Sequence, residues 1–246
     1  MFGYSGKILH IDLKTRTEWV EDKPEEWYKL WIGGVSMASR LLWENFTPGA
    51  DAYSAENPKS PQTGYIGDSL SGSWFSIALK RAGWDGLVIH NQSEEWINLF
   101  VDDDRVQYLD ATYLLGKGTF ETEEAIRNKL GDDQVRSCTI GKCGENMVRY
   151  ANVTNDGRQA GRTGHGAGWA TKKLKALSVR GTGGVTVYDP KTLNELSFEL
   201  SKNAQGKDTE KYRVYGTSTG LMSTNKMGIL PTRNFQQGVF EFAKEV

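Results

Sequence analysis

The stretch NDGRQAGRTGHGAGWATKKLKAL, Asn155 to Leu177, limits the fold more than any other part of the chain. It sets five glycines (Gly157, Gly161, Gly164, Gly166, Gly168) and two arginines ahead of a lysine-bearing second half. Glycine permits left-handed backbone and close main-chain approach, so the first half reads as a loop leading into a helix. Exposed amides and the positive end of a helix attract anions, and Arg158 and Arg162 can add bidentate contacts to a phosphate. The same glycines also suit a tight helix entry with solvated arginines, and their spacing matches neither nucleotide-binding fingerprint. On spacing alone both readings stand.

A chain of 246 residues can form one large domain or two small ones with a real core. The net charge of -1 and pI near 6.3 lack the basic excess of a nucleic-acid binder. Apolar runs such as GLVI fall far short of the roughly 20 residues that span a bilayer. The start MFGYSGKILHIDL has no cationic end followed by an apolar run. The expectation is therefore a cytoplasmic protein with no membrane span and no nucleic-acid partner. Cys138 and Cys143 are the only cysteines, too few for a disulfide framework and, with no nearby histidine, incomplete as a metal site. The 28 glycines, eight tryptophans and mean hydropathy of -0.54 suggest a β-rich protein with aromatic surface facing a planar group or another domain.

Along the chain, GKILHIDL alternates and TRTEWVE follows a short turn, which predicts a hairpin with His10 solvent-facing or paired. Pro24 with Glu25 and Glu26 opens a helix, and a second covers 35–45. FSIALKRAGWDGLVIHNQ gives a short helix, a stop at Gly83 and the strand Gly86 to His90. Strands at 96–101 and RVQYLD flank the acidic turn Asp102–Asp104, which lacks the length and later glutamate of a calcium loop and reads as solvated. Residues 119–130 form a helix with Thr119 as N-cap. QVRSCTIG, MVRYANV and LKALSVRG are strands, and Asp189-Pro190 starts a helix over 190–203. The fold class is α+β. The Gly/Ser/Thr/Asn-rich run YGTSTGLMSTNKMGILPTRNF places an extended arm in 204–246.

Five stretches in order, GYSGKILHIDLKT, WIGGVSMASRLLWE, LKRAGWDGLVI, IGKCGENMVRYANVTNDGRQAGRTGHGAGWATKKLKALSVRGTG and GILPTRNFQQG, resemble the amino-terminal domain of the aldehyde ferredoxin oxidoreductase family. The resemblance covers nearly the whole chain. It implies a base of two β-sheets in a pseudo-two-fold arrangement with a few flanking helices, on which a tungsten or molybdenum bis-pyranopterin rests with a bridging Mg2+. It implies that Arg158, Gln159, Gly161, Arg162 and Gly164 lie on the loop approaching one pterin. GDSLSGSW, through Ser69, Ser71 and Gly72, would be the loop near the other. Residues 1–203 would then be the pterin-binding base and 204–246 an arm leading toward the iron–sulfur and catalytic region. A dithiolene-held metal needs no protein thiolate here.

Three departures from the family pattern matter. Asn57-Pro58 runs directly into Lys59-Ser60-Pro61, where relatives carry an apolar strand and turn. Leu70 stands where many relatives have a polar residue, and its side chain cannot coordinate a hard cation, which leaves a backbone carbonyl for magnesium. His165 and Trp169 replace smaller residues, and Trp169 suits core filling. Two cysteines cannot supply the thiolates of a 4Fe-4S cluster, so those ligands and the catalytic groups are expected outside this segment. The function implied by resemblance is oxidation of an aldehyde to an acid, with electrons passing through that cluster to ferredoxin or an iron–sulfur subunit in an oligomer. The alternatives are a benzoyl-CoA reductase-type active-site subunit and a non-catalytic docking or scaffold module.

Overall fold

The computed structural model describes residues 1–45, 49, 51, 53–55 and 59–245. The junction of Pro58 with Lys59 lies outside the described residues. Alternation makes the first hairpin: β1 (Lys7–Asp12) buries Leu9 and Ile11 on one face and pairs antiparallel with β2 (Thr17–Asp22), Ile8 opposite Glu21. Two helices follow, α1 (Glu25–Trp31) and α2 (Gly34–Asn45). Helix α3 (Trp74–Arg81) is capped by the Ser73 hydroxyl, which accepts from the Phe75 amide, and stops before Gly83 at φ +92°. The chain then enters β3 (Gly86–His90), parallel to β1, giving the order β2-β1-β3.

The second sheet is larger. β4 (Ile97–Asp102) and β5 (Arg105–Asp110) form a hairpin, and α4 (Thr119–Leu130) ends on Gly131 in the left-handed region. The N-cap of α4 is Gly118, one residue before the expected Thr119, because the Glu121 carboxylate reaches back to the Gly118 amide at 2.9 Å. β6 (Arg136–Thr139), the short α5 (Lys142–Glu145), β7 (Val153–Asn155), β8 (Arg158–Ala160), α6 (His165–Thr171) and β9 (Leu174–Arg180) complete the order β5-β4-β9-β6-β7-β8. β9 runs parallel to β4 and antiparallel to β6.

Leu9, Ile11 and Leu13 of the small sheet, Leu99, Val101, Leu177 and Val179 of the large one, and Ala78 and Trp84 form one apolar cluster. Phe100 and Ala176, one residue out of phase, join Leu114, Ile126 and Val135 in a second cluster that includes α4. The large sheet is thus covered on both faces, which explains why LKALSVR reads as continuously buried. Each buried Leu, Ile, Val or Phe among them contributes about 1.5–3 kcal/mol on burial. Lys175 is fully buried on β9, where its ammonium donates to Ile140 O at 2.6 Å and Lys117 O at 3.2 Å and pairs with the Glu145 carboxylate.

Several expectations change. For His10 the structure shows the paired alternative, with the ring buried: Nδ1 meets His90 Nε2 at 3.0 Å, Nε2 meets Glu21 at 3.1 Å, and the indole of Trp19 stacks on both rings. The acidic turn is engaged, since Asp102 pairs with Arg180 and Asp103 accepts from the Thr182 amide and hydroxyl. MVRYANV is strand only at its last residue, Val153, where β7 begins, because Met147 adopts φ +52° and residues 149–150 turn. Contacts divide the chain between Val187 and Tyr188. In the second unit α7 (Pro190–Asn203) is capped by Asp189, with α8 (Lys207–Tyr215) and α9 (Leu221–Lys226) where an extended arm is expected. The Ser and Thr of that run bond backward to carbonyls, Ser223 and Thr224 to Gly220 O at 2.8 and 2.9 Å, and so support short turns.

Candidate functional site

Asp156 and Gly157, at φ +46° and +72°, make the two-residue turn that joins β7 to β8 and sets Asn155 opposite Arg158. This turn puts Arg158 and Gln159 on the exposed edge strand of the large sheet, followed by the exposed Gly161 and Arg162. The chain then dives inward. A Cβ on Gly164, at φ +75°, would lie 1.9 Å from Arg149 O, and one on Gly166 2.5 Å from Asn152 O. The Gly166 amide donates to Ala151 O at 2.8 Å. These two glycines therefore seat the head of α6 on the segment 149–152, and that helix end is packed and not open to an anion. Gly161, Gly168 and Gly72 are open: nothing lies closer than 4.0 Å to a Cβ at Gly161, and nothing within 4 Å at Gly168 or Gly72.

The loop 67–72 lies against this one. The Arg162 amide donates to Ser69 Oγ at 3.1 Å, the Ser71 hydroxyl to Asn155 Oδ1 at 2.8 Å, and the Trp74 amide to Asp156 Oδ2 at 3.1 Å. Ser60 Oγ donates to Thr163 O at 2.6 Å, and Gly67 is pressed so tightly on Thr163 that a Cβ there would meet Oγ1 at 2.6 Å. Ser69, Ser71 and Arg162 are thus brought together directly. Arg158, Gln159 and Gly161 continue the same surface, Gly72 ends the neighbouring loop, and Gly164 is buried beneath. Sequence reasoning missed the residues that stitch the loops: Ser60, Asn155, Asp156 and Thr163. An Asn-Asp-Gly run ahead of Arg158 was the available signal for the turn.

Two hollows flank the stitched loops. One of about 520 Å³ is lined by Ser69, Leu70 and Ser71, by Val35, Ala38 and Leu42 of α2, and by His165 and Trp169. The other, of about 560 Å³, takes in Gln159, Asn152, Phe120 and Cys143. Trp169 packs on the core while lining the first hollow. Burial lowers the His165 pKa, favouring a neutral ring. Burial likewise pushes the Cys138 thiol up to about 12, so it is inert as a thiolate.

Among the described residues no group of three His, Cys, Asp or Glu could hold a metal ion. The donor set fits another kind of group. Neither the Arg158 nor the Arg162 guanidinium has an ion-pair partner among the described residues, while the Arg162 amide and the Ser71 hydroxyl are bonded within the chain. Two guanidiniums free of protein counter-charge, serine hydroxyls and bare glycine backbone suit a large anionic ligand that brings its own metal ligands.

The model of the family "Aldehyde ferredoxin oxidoreductase, N-terminal domain" matches residues 8–58 and 59–181. This chain belongs to that family. The match breaks at the Pro58–Lys59 junction, where the sequence departs from the family pattern. The chain is 36% identical over 271 aligned positions to the tungsten-containing aldehyde ferredoxin oxidoreductase of Thermococcus kodakarensis, covering 100% of this chain and 45% of the relative. It is 38% identical over 274 positions to the enzyme of that name from Pyrococcus abyssi, with the same coverage. It therefore spans less than half the length of these curated relatives. Among solved structures, the active site complex BamBC of benzoyl coenzyme A reductase with 1,5-dienoyl-CoA superposes with a TM-score of 0.76 at 26% identity, over 94% of this chain and 36% of that one. For the aldehyde ferredoxin oxidoreductase domain, the mixed two-sheet α+β fold is as the resemblance implies. No helix among the described residues is long and apolar enough to cross a membrane.

Proposed function

We propose that this chain is the cofactor-docking base of a tungsten-pterin oxidoreductase that oxidises aldehydes to carboxylic acids. The observation that carries the reading is the stitched pair of loops, with Arg162 anchored by its main chain to Ser69 while its guanidinium and that of Arg158 stay free of protein counter-charge. When bound, the tungsten pterin supplies the two-electron chemistry. The chain's own residues bind and orient. Arg158 and Arg162 offer charge-assisted bonds to phosphate ends, Ser69 and Gln159 offer neutral ones, Ser71, whose hydroxyl hydrogen goes to Asn155, holds its loop in place, and Gly72 and Gly161 allow a planar group to approach the backbone. Gly164 contributes by seating the loop. Leu70, 69% exposed, brings no donor, so a bridging Mg2+ at this loop would take a main-chain carbonyl.

The unit up to Val187 carries this docking role, and the helices beyond it lead toward the part that would hold a 4Fe-4S cluster and the substrate. Ferredoxin or an iron–sulfur subunit would take the electrons, in a cytoplasmic oligomer. Tungsten is preferred to molybdenum because the relatives at 36–38% identity are named for it. The aldehyde reading is preferred to thioester reduction because the benzoyl-CoA reductase likeness is the more distant in sequence.

The test is metal and pterin content of protein made in a tungstate-supplied host. Arg162→Ala removes one charge-assisted contact worth about 1.5–3 kcal/mol, and so weakens cofactor retention roughly tenfold to hundredfold. Tungsten content equal to that of the parent would sink the docking role of Arg162.

A further inference from the structure

His165 heads α6 and lines the first hollow. Its Nε2 lies 3.0 Å from Thr163 Oγ1. That hydroxyl has a single hydrogen. Arg162 O stands 2.7 Å from the same oxygen and Asp68 O 3.5 Å away. Carbonyl oxygens only accept, and two oxygens 2.7 Å apart with no proton between them repel, so the hydroxyl hydrogen points to Arg162 O. A lone pair of Oγ1 then faces the imidazole, and Nε2 must be the donor. The ring is therefore the Nε2–H tautomer with Nδ1 bare.

Thr163 needs such a partner. It is β-branched and sits at φ +63°, a conformation that a residue of this shape rarely adopts unaided. Its carbonyl is held by Ser60 and its Oγ1 by His165, with Gly67 closing over it. Because Thr163 directly follows Arg162, its backbone conformation decides how the Arg162 amide meets Ser69 and how the guanidinium leaves the surface.

We propose that His165 is the positioning residue of the arginine loop: donating from Nε2, it locks Thr163 in its left-handed conformation and so sets where Arg162 meets an anion. The last clause rests on the cofactor-docking reading; the lock belongs to the chain alone. Three variants of the full chain, His165→Leu, Thr163→Val and the double, test it together with His165→Gln, whose amide N–H can replace the donor.

In the cofactor-free parent, imidazole 15N shifts should show Nε2 protonated and Nδ1 bare. Hydrogen exchange at the Arg162 amide should rise about tenfold in His165→Leu, as for the loss of one net hydrogen bond. Thr163→Val should match it, the double should go no further, and His165→Gln should return toward the parent. Tungsten per chain, after growth with tungstate, should fall and recover in the same order. A ring protonated at Nδ1 overturns the lock, as do additive effects of the two single substitutions. If any variant fails to fold, the tautomer in the parent still decides. Exchange as stated with tungsten unmoved in every variant overturns the anion clause alone, and Arg162→Ala then shows whether docking itself has failed.

Discussion

Replacing Gly164 by alanine separates what the glycines do for packing from what they do for a ligand. At φ +75° an alanine carries a steric cost of about 1–2 kcal/mol. Its Cβ would sit 1.9 Å from Arg149 O, a backbone atom that cannot rotate away, so overpacking adds about 1–3 kcal/mol. Shifting the helix head loosens the Gly166 amide bond to Ala151 O, worth about 1 kcal/mol net. The expected total is about 3–6 kcal/mol, or a fall in Tm of roughly 6–24 °C for a unit of this size. Gly164→Asn tolerates the left-handed backbone but keeps the collision, so it should fall nearly as far. Gly161→Ala, with open space around it and no positive φ, should stay within about 0.5 kcal/mol of the parent. Thermal melts by circular dichroism with matched urea titrations read all three on cofactor-free protein. A Gly164→Ala melt within about 2 °C of the parent would show that the loop is not seated as described.

Two further perturbations follow from buried charge. Lys175→Met leaves the Glu145 carboxylate and two carbonyls without their ammonium and should cost about 3–5 kcal/mol in urea unfolding, partly recovered by adding Glu145→Gln; a loss under about 1 kcal/mol would refute the clamp. Burial, with Asp156 nearby, raises the Glu123 pKa to about 7, and its Oε1 has no hydrogen-bond partner among the described residues. The folded carboxyl thus keeps its proton where the unfolded one, near 4.5, has lost it. Stability is fully present below pH 4.5 and declines as pH rises through about 7, by up to about 3 kcal/mol. Glu123→Gln should flatten that decline in urea midpoints measured from pH 5 to 8.

Much of the architecture is legible because local signals agree with tertiary demand. Ile8 to Leu13 alternate and pair, Asp189-Pro190 caps a helix, and Gly83 stops one before a strand. Legibility fails where long-range contacts decide. Residues 147–152 carry strand-forming types, but their backbone is bent, and 149–152 form a bed for Gly164 and Gly166. For His10 the sequence leaves solvent and pairing both open, and only His90, 80 residues on, decides for the second. At the candidate site the residue types Arg158, Arg162, Ser69 and Ser71 could be read in advance. Which glycines face outward could not, since Gly161 and Gly164 look alike in sequence and differ only in the neighbours that the fold brings them.

β9 is the ninth strand among the described residues and the third in its sheet, between β4 and β6. Emerging from the ribosome, the β4–β5 hairpin and the β6–β7–β8 meander have no common seam until Leu174–Arg180 slides between them. The arginine loop, made just before that strand, consequently gains its final foundation only when the last piece of the sheet is threaded in. A nascent chain stalled before Leu174 would hold two half-sheets with exposed edges, which makes this step the one most open to mispairing.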